Sequence, residues 1–232
     1  MTKPNTRMKP ARARPSALNA ILMIPMRPLR SLLLCATLLT LVSPMRATTV
    51  IPPDFSDLAA SSDYVVRGKV KSLTNEIRQQ DGREVPFTLV EIEVSEVIAG
   101  TPPAKVVLTA LGGRTSDDGE LVVEGVPHFV VGDDSIYFVK DNGTSFYPLY
   151  GVMHGLYPIK RDKATGRDYV ARANGLPLSA TAEVALPLAE GKEAQLLRRQ
   201  LKISDALSVA EFKQSIRDAR AAAKNGGKNN VK

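Results

Sequence analysis

The sequence predicts an all-β domain with a short N-terminal helix and a C-terminal helix. From about Asp63 to Asn174, short segments of alternating apolar and polar residues follow one another, with turns rich in glycine, proline and aspartate between them. Apolar residues with a helical period occur before and after this region. Strands at such short spacing are typical of a small antiparallel barrel, OB-like in type, or of a sandwich.

The first elements follow from their residue patterns. "DFSDLAASS" (54–62) places Leu58 and Ala59 on one side of a short helix. "DYVVRGKVKSLT" and "FTLVEIEVSEVIAG" both alternate as half-buried strands, and Gly68 within the first indicates a bulge. Opposite charges on their exposed faces predict that the two strands pair. These charges are Arg67, Lys69 and Lys71 on the first strand and Glu91, Glu93 and Glu96 on the second.

Three further segments complete the predicted sheet. "KVVLTAL" is a third strand, "SIYFVKD" and "SFYPLYG" form a hairpin across "DNG", and "HGLYPIKRD" and "DYVARAN" flank the turn "KATG". The β-domain is therefore expected over residues 48–174.

A helical region is expected after the sheet. Residues 175–206 are read as a linker with one short helix, "GKEAQLLRRQL", because the stretch before this helix has no clear period. In residues 207–232, Ser208 and Glu211 match a capping box, and Val209, Phe212 and Ile216 share an apolar face. The last residues, "NGGKNNVK", are expected to form a disordered tail. The helix is expected to pack on the β-domain or on a partner.

Residues 1–47 have the layout of a secretory signal peptide. Arg27 and Arg30 precede a short apolar run, and a polar stretch ends at Ala47, after which we expect cleavage. Translation would start at Met1 or Met26, since Met26 alone gives a compact signal. The only cysteine, Cys35, lies inside this segment, so the mature chain would contain no disulfide. The protein is thus expected to be periplasmic or secreted, and to meet the membrane only through the signal peptide during export.

The basic charge does not indicate a nucleic-acid partner. The formal net charge is +7, but residues 1–47 hold eight basic residues and no acidic one. The remaining residues are nearly neutral, whereas nucleic-acid binding needs basic side chains clustered on the folded domain. The sequence therefore predicts no nucleic-acid interface.

The stretch "TALGGRTSDDGELVVEGVPHFVVGDD" (109–134) holds the candidate binding residues. Its glycines, Gly112, Gly113 and Gly119, match no phosphate-binding loop and are expected to be turn residues that are free to take positive φ. The acidic residues are too few and too closely spaced for a calcium loop, and the two histidines, His128 and His154, lack zinc-site spacing. No metal, no cofactor and no catalytic residue are expected. The candidates for ligand binding are Arg114, Asp117, Asp118 and His128.

The order of these motifs resembles a widespread, uncharacterised family of exported bacterial β-domain proteins. The motifs are "SDYVVRGKV", "VEIEVSEVIAG", "LGG" and "GVPHFVVGDDSIYFV", and they consist of turn glycines and core positions. More remotely, the chain is similar to netrin-like and metalloprotease-inhibitor domains built on OB-type barrels. Those domains depend on cysteines that the mature chain lacks, so protease inhibition is not implied. The resemblance implies a fold and brings no catalytic residues.

Three functions remain open at this point. The first is a non-enzymatic binding or interaction module of the bacterial envelope, with an envelope protein or a small ligand as its partner. The second is a hydrolase or metal-dependent enzyme that uses the loops around the four candidate residues. The third is a structural envelope protein that docks through its C-terminal helix.

Overall fold

The protein is described by a computed structural model that covers residues 51–229. It is built around six antiparallel strands in the order β3-β2-β1-β6-β7-β8. These are β1 (Tyr64–Gln80), β2 (Arg83–Gly100), β3 (Val106–Leu111), β6 (Asp134–Val139), β7 (Leu156–Arg161) and β8 (Asp168–Val170). Two short strands, β4 (Gly113–Arg114) and β5 (Glu120–Leu121), pair separately. The predicted β class is therefore confirmed. The sheet is open, because β3 and β8 do not pair with each other. The predicted signal peptide and its cleavage site lie outside the described residues.

Strands β1 and β2 form a long hairpin with three irregularities in its register. The shifts fall between Val65 and Val66, between Arg67 and Gly68, and between Val70 and Ser72. Bulges of this kind increase the local twist and bend of a sheet. A Cβ on Gly68 would lie 2.6 Å from the Glu93 carbonyl oxygen, so the strands approach too closely there for a side chain. The predicted bulge at Gly68 is confirmed.

The predicted charge pairing between these strands is confirmed in part. Lys71 Nζ lies 2.8 Å from Glu91 Oε1, and Lys69 lies opposite Glu93 in the register. Arg67 lies opposite Glu96, but its guanidinium binds Asp134 of β6 at 2.7 Å. Glu96 instead binds two cations of the C-terminal helix, as described below.

Of the two strands predicted to form a hairpin across "DNG", only the first is present, as β6. Residues 145–151 run beside β6, with an isolated bridge between Val139 and Leu149, but they form no strand. The Pro148 carbonyl accepts a hydrogen bond from the Lys140 N–H, but Pro148 has no N–H group to donate in return, which weakens the pairing with β6 at this point. The hairpin of β7 and β8 across "KATG" is confirmed.

Helices cover one face of the sheet, which we call the helix-covered face. They are α1 (Phe55–Ser61) and α3 (Val209–Asn229), and α2 (Gly191–Gln200) precedes α3 in the chain. The fully buried side chains in this layer are Leu58, Ala59, Val65, Ile136, Phe138, Val170, Leu178, Val184, Phe212 and Ile216. Helix α3 therefore buries its apolar face against the rest of the chain. This agrees with the first of the two predicted placements, in which the helix packs on the β-domain.

The start of α3 forms as its sequence predicts. The Ser208 backbone N–H donates to Glu211 Oε2 at 2.8 Å, and the Glu211 N–H donates to Ser208 Oγ at 3.2 Å. This reciprocal pair satisfies two of the amide groups that a helix start leaves free. The helix continues to Asn229.

The segment expected to be a linker is packed against the sheet. Leu176, Leu178 and Val184 are buried, and the Leu178 N–H donates to the carbonyl of Val170 in β8. Its apolar residues follow no regular period because they enter the core from irregular backbone and 3₁₀ turns such as Thr181–Ala185. The short helix predicted within it is confirmed as α2.

Candidate binding groove

Residues 112–133, which we call the cover segment, lie over the opposite face of the sheet. Asn75 of β1 holds the segment at one end: its Oδ1 accepts from the Arg114 N–H at 2.8 Å, and its Nδ2 donates to the Arg114 carbonyl at 2.9 Å. At the other end, the Gly132 N–H donates to the Val70 carbonyl at 2.8 Å, and the Val70 N–H donates to the Asp133 carbonyl at 3.0 Å. The segment is thus tied to β1 at both ends. We call the face beneath it the loop-covered face.

A groove with two lobes runs between the cover segment and the sheet. The distal lobe, about 200 Å³, lies near the hairpin, with Leu73, Thr88 and Ala110 on the sheet side. The central lobe, about 290 Å³, lies over β6 and β7. Pro127, His128 and Phe129 line both lobes, so they form the partition between them.

The central lobe has a mostly apolar wall with a few polar groups. Its apolar lining is Val70, Pro127, Phe129, Met153, Leu156, Pro158 and Ala173, and its polar lining includes His128, Asp133, Ser135, Tyr137 and Lys160. His128, Asp133 and Lys160 are exposed, so they stand at the mouth, whereas Ser135 and Tyr137 are buried at the floor. An apolar pocket with a small number of converging polar groups is the usual form of a small-molecule site.

Tyr137 is the most informative residue of the central lobe. Its side chain is fully buried, and although Ser135 lies close enough to affect its pKa, its hydroxyl has no partner at hydrogen-bond distance and angle within residues 51–229. Leaving a buried hydroxyl without a partner costs about 1–3 kcal/mol. Burial also raises the pKa of Tyr137, so the hydroxyl stays neutral and keeps its proton for donation. The hydroxyl is thus an unpaired polar group beside the lobe, and its oxygen is shielded from solvent in the unliganded protein.

Of the four predicted binding residues, only His128 lines the groove. Arg114 is exposed, and its backbone, rather than its guanidinium, makes the contacts to Asn75. Asp117 accepts a hydrogen bond from Thr115 Oγ1 at 2.5 Å in an exposed turn, and this bond lowers its pKa. Asp118 occupies the same turn with φ of +63°. Among residues 51–229, no group of three or more histidine, cysteine, aspartate or glutamate residues could hold a metal ion.

The glycines of the cover segment mark its turns, with one correction. Gly112 and Gly113 have φ of +113° and +135°, as predicted. Gly119 does not have a positive φ; the neighbouring Asp118 takes the left-handed conformation instead, which aspartate tolerates better than most residues. Gly119 is still constrained, because a Cβ there would lie 2.7 Å from Thr115 Oγ1.

His154 is a buried structural residue outside the groove. Burial and the charge of Arg172 lower its pKa to about 4, so it is neutral at ordinary pH. Arg172 is also buried, and its guanidinium donates to the carbonyl oxygens of Leu186 and Pro187. These bonds tie the segment after β8 to the sheet.

Sequence reasoning missed Tyr137 and Lys160. Alternation within "SIYFV" places Ser135 and Tyr137 on one face and Ile136 and Phe138 on the other, which would have given the direction of Tyr137. Nothing in the sequence indicates whether its hydroxyl finds a partner.

Comparisons with known proteins gave no match: no family model, no curated protein and no solved structure is significantly similar to this chain. Within residues 51–229, none of the helices combines the length and the apolar character needed to cross a membrane.

Proposed function

We propose that the protein is a non-enzymatic binding module of the bacterial envelope that takes a small amphiphilic ligand in the central lobe. The observation that carries this proposal is the buried Tyr137 hydroxyl, which lacks a partner among residues 51–229 and lies at the floor of an otherwise formed groove. A ligand atom that accepts or donates a hydrogen bond there would remove the cost of that unpaired group.

The lining indicates the chemistry of the ligand. Phe129, Met153 and Leu156 offer apolar surface to an apolar body, and methionine adapts readily to irregular shapes. Lys160 and Asp133 offer opposite charges at the mouth, and His128 adds a further polar group. We therefore expect a molecule with an apolar body, one polar atom that reaches Tyr137 and a polar or charged end near Lys160.

The setting of this module is also a proposal. The signal-like residues 1–47 support export, with cleavage after Ala47, and the strongly bulged hairpin supports an incompletely closed, OB-like barrel. The resemblance to exported bacterial β-domain proteins agrees with both. OB-like folds use one sheet face and their loops for ligands, which is where the groove lies.

The other two functions have less support. An enzyme built on Arg114, Asp117, Asp118 and His128 would need these groups to converge, but only His128 lines the groove. Docking through the C-terminal helix would need its apolar face, but Phe212 and Ile216 are buried against the sheet. Binding in the groove uses the face that stays accessible.

The proposal is tested by titrating the protein with anilinonaphthalene sulfonate, a fluorescent probe with an apolar body and an anionic end. Ala173→Phe, which places a large side chain in the central lobe, should weaken binding at least about tenfold by obstructing the lobe. Tyr137→Phe should weaken it about fivefold by removing one hydrogen bond. The matched control is Ala180→Phe, since Ala180 is exposed and does not line the groove.

Equal probe affinity for wild type and Ala173→Phe would show that the lobe is not the site and would overturn the proposal. Intact-mass measurement of the same protein, purified from an exporting bacterial host, tests its setting. A chain that begins at Thr48 supports export, and an uncleaved chain contradicts it.

A further inference from the structure

Strand β1 has a long stretch of open edge. On the side away from β2, it pairs with β6 only from Tyr64 to Lys69, and Val70 then bonds to Gly132 and Asp133 of the cover segment. From Ser72 to Gln80, the backbone bonds only to β2 among residues 51–229. Alternate N–H and C=O groups of this stretch therefore point outward without a strand partner.

The side chains along this open edge carry both apolar and charged groups. Leu73 and Ile77 project on the loop-covered side and are exposed by 41% and 39%. Glu76 and Arg78 project on the opposite side, where Arg78 Nε lies 2.9 Å from Glu76 Oε1. The Arg78 guanidinium also lies 4.8 Å from the centre of the Phe87 ring, which holds it against the sheet.

We propose that a second copy of this chain pairs with the open edge, antiparallel to it, with the two-fold axis at Ile77. In this register each Glu76 lies directly opposite Arg78 of the other copy, and Ile77 lies opposite Ile77. The two copies then form a continuous sheet through their β1 strands. A closed two-fold contact uses the same surface on both subunits, which this self-complementary segment provides.

Charge complementarity selects this register over its neighbours. Directly opposite side chains in an antiparallel pair lie within contact distance, so each Glu76 would gain the Arg78 of the other copy as a second cation beside its own Arg78. With the axis at Asn75 instead, Glu76 would lie opposite Thr74 and Arg78 opposite Ser72, and both charges would lose this match. The apolar Ile77 pair then lies at the centre of the contact.

The test is sedimentation-equilibrium measurement of the full-length chain, in the form that a bacterial host produces, over a range of concentrations. The wild type should form a dimer. Glu76→Arg and Arg78→Glu should each weaken it at least about tenfold, because each places like charges opposite one another at two symmetric positions.

The decisive measurement mixes the two single variants. In a mixed dimer, the two basic side chains of the E76R copy face the two acidic side chains of the R78E copy. Association should therefore be at least about tenfold stronger in the mixture than in either variant alone. The double variant E76R/R78E should also dimerise, because the exchange preserves the match. Glu93→Arg, an exposed carboxylate of β2 that lies opposite Lys69 and outside the proposed contact, is the matched control and should leave the dimer unchanged.

Two outcomes would overturn the proposal. A wild type that stays monomeric at every concentration shows that the edge does not bind a second copy. A dimer whose strength is unchanged in both single variants shows that the copies meet elsewhere. Circular dichroism of each variant confirms that the fold is intact, so loss of association is not loss of structure.

Discussion

The two faces of the sheet are built from alternate residues of the same strands but differ in how completely they are filled. On the helix-covered face, the rings of Phe138, Tyr157 and Phe212 meet with centroids 4.9 to 6.2 Å apart, and α3 closes the layer. On the loop-covered face, Tyr137 and Tyr64 each carry a buried hydroxyl without a partner in the described part of the chain, and a groove remains open.

The difference follows from what covers each face. Helix α3 offers apolar side chains at helical spacing that match the sheet beneath them, so its apolar area leaves water almost completely. The cover segment is a chain of turns with only two very short strands, and its Val122, Val130 and Val131 remain exposed. Because the cover segment is irregular, its side chains pack against the sheet less completely than those of a helix do. The same fold thus places its stability on one face and its accessible volume on the other.

The largest effect should come from opening the filled face. Phe212→Ala removes a fully buried ring that contacts Phe55, Phe138 and Tyr157. We expect it to lower the free energy of unfolding by about 3–5 kcal/mol, as measured by urea denaturation, because it leaves a cavity among rigid neighbours.

Phe146→Ala is the matched control for this change. Phe146 is 49% exposed and stacks on Phe87, so its removal should cost less than about 1 kcal/mol. Equal losses in the two variants would contradict the assignment of the stabilising core to the helix-covered face.

The elements of both faces could be predicted from the sequence where local patterns decide them. The capping box at Ser208 and Glu211 and the apolar face of α3 involve residues within a few positions of one another, and both are confirmed. The linker expectation failed because Leu178 and Val184 are buried by contacts with distant strands, which leave no periodic trace. For the same reason, the sequence did not indicate that Arg67 pairs with Asp134, which is 67 residues away.

The candidate site was less predictable than the fold. Acidic and glycine-rich residues drew attention to the turn at Asp117 and Asp118, but short loops carry such residues simply to bend the chain. His128 was included among the candidates because it lies in the same stretch of sequence as these acidic and glycine-rich residues. Tyr137 was missed because a tyrosine within an apolar strand is ordinarily a core residue, and only the three-dimensional surroundings of its hydroxyl distinguish it.

A smaller effect should come from removing the ion pairs between α3 and Glu96 of β2. Glu96 binds Lys213 at 2.6 Å and Arg217 at 2.7 Å, and the hydrogen bond from Lys213, with that from Arg217, lowers the pKa of Glu96 below its ordinary 4.5. Glu96→Gln should lower the free energy of unfolding at pH 7 by about 1 kcal/mol, since both pairs are partly exposed.

This loss should depend on pH with a definite sign. Because the folded-state pKa of Glu96 is lowered, its contribution is present above pH 4.5 and disappears as the pH falls through the lowered value. Urea denaturation at pH 7 and at successively lower pH should therefore show a difference between wild type and Glu96→Gln that is full at pH 7 and shrinks as the pH falls below 4.5. Glu93→Gln, an exposed carboxylate on the same strand with no ion pair among the described residues, is the control. A difference that does not change with pH would mean that packing, not charge, holds the helix there.

The smallest effect should come from the open face, and its sign is what matters. Removing a hydroxyl that has a partner destabilises a protein, whereas removing a buried hydroxyl that has none is neutral or stabilising. Tyr137→Phe should therefore leave the free energy of unfolding of the unliganded protein unchanged or raise it by up to about 1 kcal/mol, although it weakens probe binding.

The measurement must use ligand-free protein, because a bound molecule stabilises the wild type more than the variant. A loss of more than about 1 kcal/mol in that protein would mean that the hydroxyl is already satisfied, and the main argument for a ligand in the central lobe would fail. Stability that is kept while binding is lost would assign Tyr137 to function rather than to the core.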